Sequence, residues 1–291
     1  MRQDPMRAAI EELITLLDLE PLEHNLFRGR SPQAGWQRVF GGQVIGQSLA
    51  AANRTVDGRF CHSLHGYFMR PGDPAVPIIY QVQRLRDGRS FTTRLVNAIQ
   101  HGESIFTLMA SYQVDEGGYE HAFAMPDVVG PEDLPDEAEL KRLIDERASE
   151  EIKRYFARPR PLELRPTENT HYLTHDKLPP RQYLWMRATD HLPDDVLVHQ
   201  AALAYMSDMT LLDTSLFPHG QSVFSNEVIS ASLDHAMWFH RPFRADDWLL
   251  YAMDSPSSSG ARGFTRGFFF SRDGTLVAST AQEGLIRPRT R

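Results

Sequence analysis

Ser63-Leu64-His65-Gly66-Tyr67-Phe68-Met69-Arg70-Pro71 returns, loosened, as Asp234-His235-Ala236-Met237-Trp238-Phe239-His240-Arg241-Pro242. The correspondence extends outward from there. Each copy runs into an apolar stretch carrying a tyrosine, Ile78-Ile79-Tyr80 and Leu249-Leu250-Tyr251, and then into Phe91-Thr92-Thr93-Arg94 and Phe264-Thr265-Arg266. A glycine turn follows in both (His101-Gly102, Asp273-Gly274), and both copies close on a glutamine, Gln113 and Gln282. An internal repeat constrains the architecture before any single residue does. A unit of more than about 100 residues is too large for a solenoid module, so the repeat predicts two fused domains of one fold.

Composition agrees with a globular chain: 291 residues, 41% hydrophobic and 24% charged. A net charge of −7 with no long basic block argues against a nucleic-acid partner. No apolar run approaches the roughly 18 residues that would predict a membrane span. The opening Met1-Arg2-Gln3-Asp4-Pro5 lacks the apolar core of a signal peptide, so a cytoplasmic location is expected. The single cysteine, Cys61, cannot form an internal disulfide and reads as a small buried apolar side chain.

Residues 1–20 carry a helical pattern through Ile10, Ile14 and Leu17. Gly41-Gly42-Gln43 opens a proline-free segment, Val44 to Ala52, expected to be a helix, and strand-like runs follow around 62–70, 76–86, 89–101 and 104–114. From Glu116 to about Arg165 prolines and acidic residues mark a linker, with a charged helix expected over Glu139–Tyr155. The second module repeats the order. A strand at Tyr183–Ala188 leads to a helix from about Val196 to Leu212, on which Val198, Ala202, Tyr205, Met209 and Leu212 form one stripe. Strands are expected around 231–240, 247–254, 261–271 and 274–286. The expectation is an α+β chain: an N-terminal hot-dog over 1–115, a charged, proline-rich linker over 116–165 and a C-terminal hot-dog over 166–291. In each half an antiparallel sheet wraps a central helix, giving a tandem double hot-dog.

Asp208 is the residue that needs explaining. It falls on the flank of the helical stripe, partly buried among Ala201, Ala204, Tyr205 and Leu212. Burying a carboxylate without donors is expensive, so partners are expected. Two readings are open at this point: a helix-edge carboxylate making a local bond, or a group held for chemistry.

Phe40-Gly41-Gly42-Gln43, Arg70-Pro71-Gly72-Asp73, Tyr205-Met206-Ser207-Asp208, Asp234 to Pro242 and Gln282-Glu283-Gly284 together resemble the type II acyl-CoA thioesterases. The resemblance runs from about residue 8 to 288 with motifs in matching order. It implies a catalytic set of aspartate, threonine or serine, and glutamine, which maps to Asp208, Ser232 and Gln282, all in the second half. Many relatives carry threonine where this chain has Ser232; the hydroxyl is kept, with a less constrained rotamer. Such a set can hold a water against a thioester carbonyl, Asp208 taking its proton while Ser232 and Gln282 orient it. The substrate implied is acyl-CoA, with no cofactor, no metal and no covalent intermediate. No Gly-x-Ser-x-Gly elbow occurs, which argues against a serine nucleophile. Association into a homo-oligomer, a dimer or tetramer, is expected.

Weaker signals have plainer readings. Gly41-Gly42 and Gly46 lack the lysine of a phosphate loop and read as tight packing or a helix start. His171 and His175 sit four apart without a third metal ligand. Arg70-Pro71 and Arg241-Pro242 recur in both halves and read as structural turns. The first helix offers Gln47, Ser48 and Leu49 but no acid, so one active centre per chain is expected. Two competing functions are a hydratase or dehydratase, suggested by His65-Gly66-Tyr67-Phe68 before Pro71-Gly72-Asp73-Pro74 but lacking a partner carboxylate, and a non-catalytic acyl-CoA-binding protein.

Overall fold

The two repeated stretches lie side by side: Ser63 faces Trp238 and Tyr67 faces Asp234 in one antiparallel ladder. The computed structural model describes residues 5–32, 38–147, 152–153, 160–168 and 173–289. The first half contains α1 (Pro5–Leu17), a hairpin of β1 (Glu20–Glu23) and β2 (Leu26–Gly29), α2 (Gly41–Asn53), and the strands β3 (Phe60–Phe68), β4 (Ile78–Asp87), β5 (Phe91–Gln100) and β6 (Glu103–Gln113). The charged helix α3 (Glu137–Arg147) and β7 (Leu162–Pro166) follow. The second half continues with β8 (Arg181–Ala188), α4 (Val196–Ser207), β9 (Val228–Ser232), β10 (Asp234–Phe239), β11 (Leu249–Ser259), β12 (Arg262–Ser271) and β13 (Leu276–Pro288).

The thirteen strands among the described residues join one sheet in the order β1-β2-β4-β5-β6-β3-β10-β13-β12-β11-β8-β7, with β9 also on β13. Each pairing is antiparallel, and β3 and β10 form the seam between the halves. Period-2 patterning drives this. In β5 the residues Thr92, Arg94, Val96, Ala98 and Gln100 are buried while their neighbours are not. The large apolar side chains so buried, Tyr80, Val96, Leu108 and Tyr112 among them, each contribute about 1.5–3 kcal/mol relative to exposure.

The sheet curls around two helices that pack on each other. Every residue of α2 from Gly42 to Asn53 is buried. Three glycines are poor helix formers, and packing overrides that preference. A Cβ on Gly42 would lie 2.2 Å from the Tyr205 carbonyl oxygen, so only glycine allows α2 this close to α4. Asn53 donates to the Leu197 carbonyl, and the Gln200 amide pairs with the backbone of Cys61 from both ends. The helix wrapped by an antiparallel sheet is present twice, as the hot-dog reading requires.

Some details differ from expectation. The helix read over Val196 to Leu212 ends at Ser207, with Asp208 as its C-cap. Thr210 adopts a left-handed φ of 61°, and the Ser207 carbonyl, which a longer helix would use, accepts instead from the Tyr251 hydroxyl at 2.7 Å. A short 3-10 helix, Leu212–Ser215, resumes afterwards. The hairpin of β1 and β2 lacked a sequence signal strong enough to predict it. β7 extends the second half's sheet from within the stretch read as linker, pairing with β8. The charged helix is described from Glu137 to Arg147.

Candidate active site

Asp208 sits where α4 stops, half-buried and opposite the first turn of α2. A Cβ placed on Gly41 would lie 2.6 Å from Asp208 Oδ2, so the glycine lets the carboxylate reach the helix start. The Gly42 backbone N–H donates to that carboxylate. The pairing is favourable because a helix N-terminus carries unpaired N–H groups and partial positive charge. Burial pushes the Asp208 carboxyl up to about 7, although Gln282, Gly42 and Ser232 each donate to it and pull it back.

Ser232 and Gln282 reach the same point by way of an irregularity in the sheet. Ser232 pairs with Gly284, and Ala236 pairs with Ala281, which sets residues 233–235 against 282–283. That is one residue too many, a β-bulge. The Leu233 N–H donates to the Glu283 carbonyl, while the Glu283 N–H is taken by the Asp234 carboxylate at 2.7 Å. In a regular strand residues three apart point to opposite faces. The bulge turns Ser232 and His235 to one side, with Gln282.

The result is a chain of contacts. Gln282 Nε2 donates to Ser232 Oγ at 2.7 Å, and Ser232 Oγ lies 3.5 Å from Asp208 Oδ1. Gln282 is 1% exposed, whereas its neighbour Glu283 points outward to an ion pair with Arg262. Two adjoining cavities, ≈ 340 and ≈ 400 Å³, share Gly41, Ser230, Ala231 and Ser232 in their walls. The first is lined with Val44, Phe68, Ile105 and Phe106, and Asp208 opens into the second. A carboxylate with a raised pKa and a hydroxyl thus meet on a cavity beside a helix N-terminus, with a buried amide bonded behind the hydroxyl. That arrangement can orient and deprotonate a water.

The structure thus brings Asp208, Ser232 and Gln282 together. His65 stands apart from them: that ring is exposed and stands edge-on to Trp238, 5.2 Å between centroids. Arg70 and Arg241 make matching turns. The N–H groups of Met69 and Arg70 converge on the Ile105 carbonyl, and those of His240 and Arg241 on the Val277 carbonyl. Cys61 is buried, and burial raises its thiol pKa well above the usual value. His171 lies outside the described residues. Among the described residues no helix is long and apolar enough to cross a membrane.

The two closing glutamines do not correspond in space. Gln113 lies opposite Phe60 and bonds Glu116 at the surface. The residue facing Leu64 is Ala110, whereas His235, the repeat's counterpart of Leu64, faces Gln282 with Nδ1 3.0 Å from Oε1. Sequence reasoning missed His235. Its signal was a polar residue where the other copy carries leucine, both buried, at 1% and 0% exposure.

Comparison with known proteins gives the family and the fold. Residues 152–285 match the family model described as acyl-CoA thioesterase, and residues 29–113 match that of the acyl-CoA thioesterase N-terminal domain. The chain is 42% identical to acyl-CoA thioesterase 2 of Haemophilus influenzae over 97% of its own length and 99% of that protein's. The crystal structure of an acyl-CoA thioesterase II from Mycobacterium marinum superposes with a TM-score of 0.78 at 45% identity, covering 97% of this chain and 99% of that one. A protein of hot-dog fold from Alicyclobacillus acidocaldarius, 20% identical, shares the fold at a TM-score of 0.75, covering 96% and 99%. The chain belongs to the type II acyl-CoA thioesterase family, and it is a thioester hydrolase.

Proposed function

We propose that the protein hydrolyses acyl-CoA to a free fatty acid and CoA, using a water held by Asp208, Ser232 and Gln282. The observation that carries this reading is that Asp208 and Ser232 share one cavity wall, with the buried Gln282 amide bonded to Ser232 from behind. Asp208 takes a proton from the water as its oxygen attacks the thioester carbonyl carbon. Ser232 and Gln282 fix the direction of attack. Negative charge growing on the carbonyl oxygen is stabilised by the positive end of α2, 13 residues long, which starts against the same carboxylate. The tetrahedral intermediate collapses by breaking the carbon–sulfur bond, and the proton on Asp208 passes to the departing sulfur. Both halves contribute, the second with the side chains and the first with the helix start.

One such centre per chain is proposed. In the first half the Gln47 amide fills the place beside Tyr80, accepting from its hydroxyl at 2.7 Å and donating to the Leu16 and Arg30 carbonyls, with no carboxylate in the set. The apolar wall of Val44, Phe68, Ile105 and Phe106 suits an acyl chain. Homo-oligomerisation is also proposed, on the exposed Tyr67, Met69 and Met109 of the outer sheet face, and light scattering tests it. The central experiment is thiol release from palmitoyl-CoA, followed with a thiol-reactive dye. A hydratase or a binding protein would release none.

A further inference from the structure

We propose that His235 is a positioning residue: by donating from Nδ1 to Gln282 Oε1 it decides which way round the Gln282 amide lies, and so aims the Ser232 hydroxyl at Asp208. This rests on the reading of Gln282 and Ser232 as site residues.

His235 lies behind Gln282, 1% exposed, with Nδ1 3.0 Å from Gln282 Oε1 and Nε2 2.9 Å from Ser207 Oγ. An amide oxygen only accepts, so the ring nitrogen facing it must carry the hydrogen. Nε2 then holds a lone pair 2.9 Å from Ser207 Oγ, whose single hydrogen lies between it and the Ala204 carbonyl, to which Ser207 also donates at 2.9 Å. Burial lowers the imidazole pKa to about 4, against a raising contribution from Gln282, so the ring is neutral wherever a carboxylate base works.

The order propagates. With Oε1 held by His235, the Gln282 NH₂ points at Ser232 Oγ, 2.7 Å away. Ser232 therefore accepts from Gln282 and has its own hydrogen free for Asp208 Oδ1. Every donor from His235 to Ser232 points the same way, toward the carboxylate. The opposite tautomer would turn a lone pair on Oε1 and drive the amide to turn over. Ser232 would then donate to Gln282, presenting a lone pair rather than a hydrogen to Asp208.

The first half lacks this pair, carrying Leu64 opposite Ala110 where no carboxylate needs orienting. A histidine kept only to fill space would be replaceable by leucine, as its counterpart shows.

The test is steady-state kinetics on palmitoyl-CoA for His235→Leu and His235→Asn, each made alone and with Gln282→Ala. An asparagine amide nitrogen falls near the position of Nδ1 and keeps the donor. His235→Leu is expected to lower kcat roughly tenfold to a hundredfold, the range for a partner that orients a reacting group, with KM little changed. His235→Asn is expected to recover most of that loss. In the Gln282→Ala background His235→Leu is expected to add less than about twofold, because it acts through Gln282. Equal losses in both backgrounds, or full turnover in His235→Leu while Gln282→Ala is impaired, would overturn the inference and leave the proposed function standing. Full turnover in Gln282→Ala would instead remove Gln282 from the site. Should the leucine variant not fold, His235→Asn against His235→Gln, whose amide nitrogen falls near Nε2, carries the test. Asparagine is expected to be the more active by about tenfold, and equal activities would overturn the inference.

Discussion

Asp208→Asn, measured across pH beside the wild type, probes the proton acceptor directly. Burial holds the wild-type carboxyl at about 7 in place of its ordinary 3.8. Only the ionised form can take a proton from water, so kcat/KM should rise with pH through about 7 and level off above about 8. At pH 6 about one molecule in ten carries the charged form, and at pH 5 about one in a hundred, so the rate should fall by those factors. His235, held to about 4, does not titrate in this range. Asp213, pushed up to about 6 by burial and bonded to the Val223 N–H, could steepen the limb, and Asp213→Asn separates its contribution. Ser232 and Gln282 favour the charged form, so Ser232→Ala should move the acid limb to higher pH. Asparagine keeps the size of Asp208 and can still accept from Gly42 but takes no proton. Turnover should fall roughly a hundredfold or more, and the limb near 7 should vanish. The assay is initial-rate loss of thioester absorbance, which does not depend on thiol ionisation, with folding checked by circular dichroism. A folded Asp208→Asn enzyme with near-full turnover, or a flat wild-type profile from about pH 5.5 to 8, would refute the reasoning.

Ser232→Thr should stay within a few-fold of wild type, whereas Ser232→Ala should lose on the order of tenfold to a thousandfold in kcat, since only threonine keeps the hydroxyl; alanine matching serine would remove Ser232 from the site. Glu283→Gln should leave turnover unchanged, because its side chain pairs outward with Arg262; a dead variant would move the base to Glu283. Asp208 also makes a stability prediction. Its folded-state pKa is raised, so the native state binds the extra proton between about pH 4 and 7, and stability falls as pH rises through that window. Differential scanning fluorimetry should therefore find Asp208→Asn more stable than wild type at pH 8, by about 2 kcal/mol after discounting for partial exposure, with the gap closing toward pH 4. Gly42→Ala should destabilise by more than about 2 kcal/mol in urea, because the added methyl lands on backbone rather than on a side chain that can move; a neutral result would mean that α2 and α4 separate easily.

The repeat made the two-fold architecture legible, because the stretches that resemble each other are the ones that pair across the seam. Patterning placed most strands within about two residues, as expected where one face is buried. The carboxylate at 208 was legible as an anomaly, and the resemblance supplied its companions. What could not be read were events that leave no period in the sequence. The end of α4 depends on a left-handed Thr210 and on Tyr251, 44 residues away from the carbonyl it caps. The bulge at Leu233 and Asp234 changes which side chains share a face, and nothing in Ser-Leu-Asp-His announces it. The glutamine correspondence failed for the related reason that similarity of sequence end points does not fix register: Gln113 and Gln282 close similar strings at different places on the sheet.

The seam also dictates an order of events during synthesis. The edge of β3 finds its partner only when residues 234–238 exist, about 170 residues later than Ser63–Tyr67. At a ribosomal pace of about 5–20 residues per second, that edge waits on the order of 10–30 s. During this interval the nascent first half presents an unpaired, aromatic-bearing strand, with Tyr67 and Phe68 on it, to any neighbouring chain on the same message. Two nascent chains are thus offered each other's β3 before either has made its own β10, so pairing of β3 with β3 between chains competes with correct folding most strongly when translation pauses between the halves. A synonymous slow codon cluster in the connecting region would raise the fraction so mispaired, while the mature protein's sequence stayed the same.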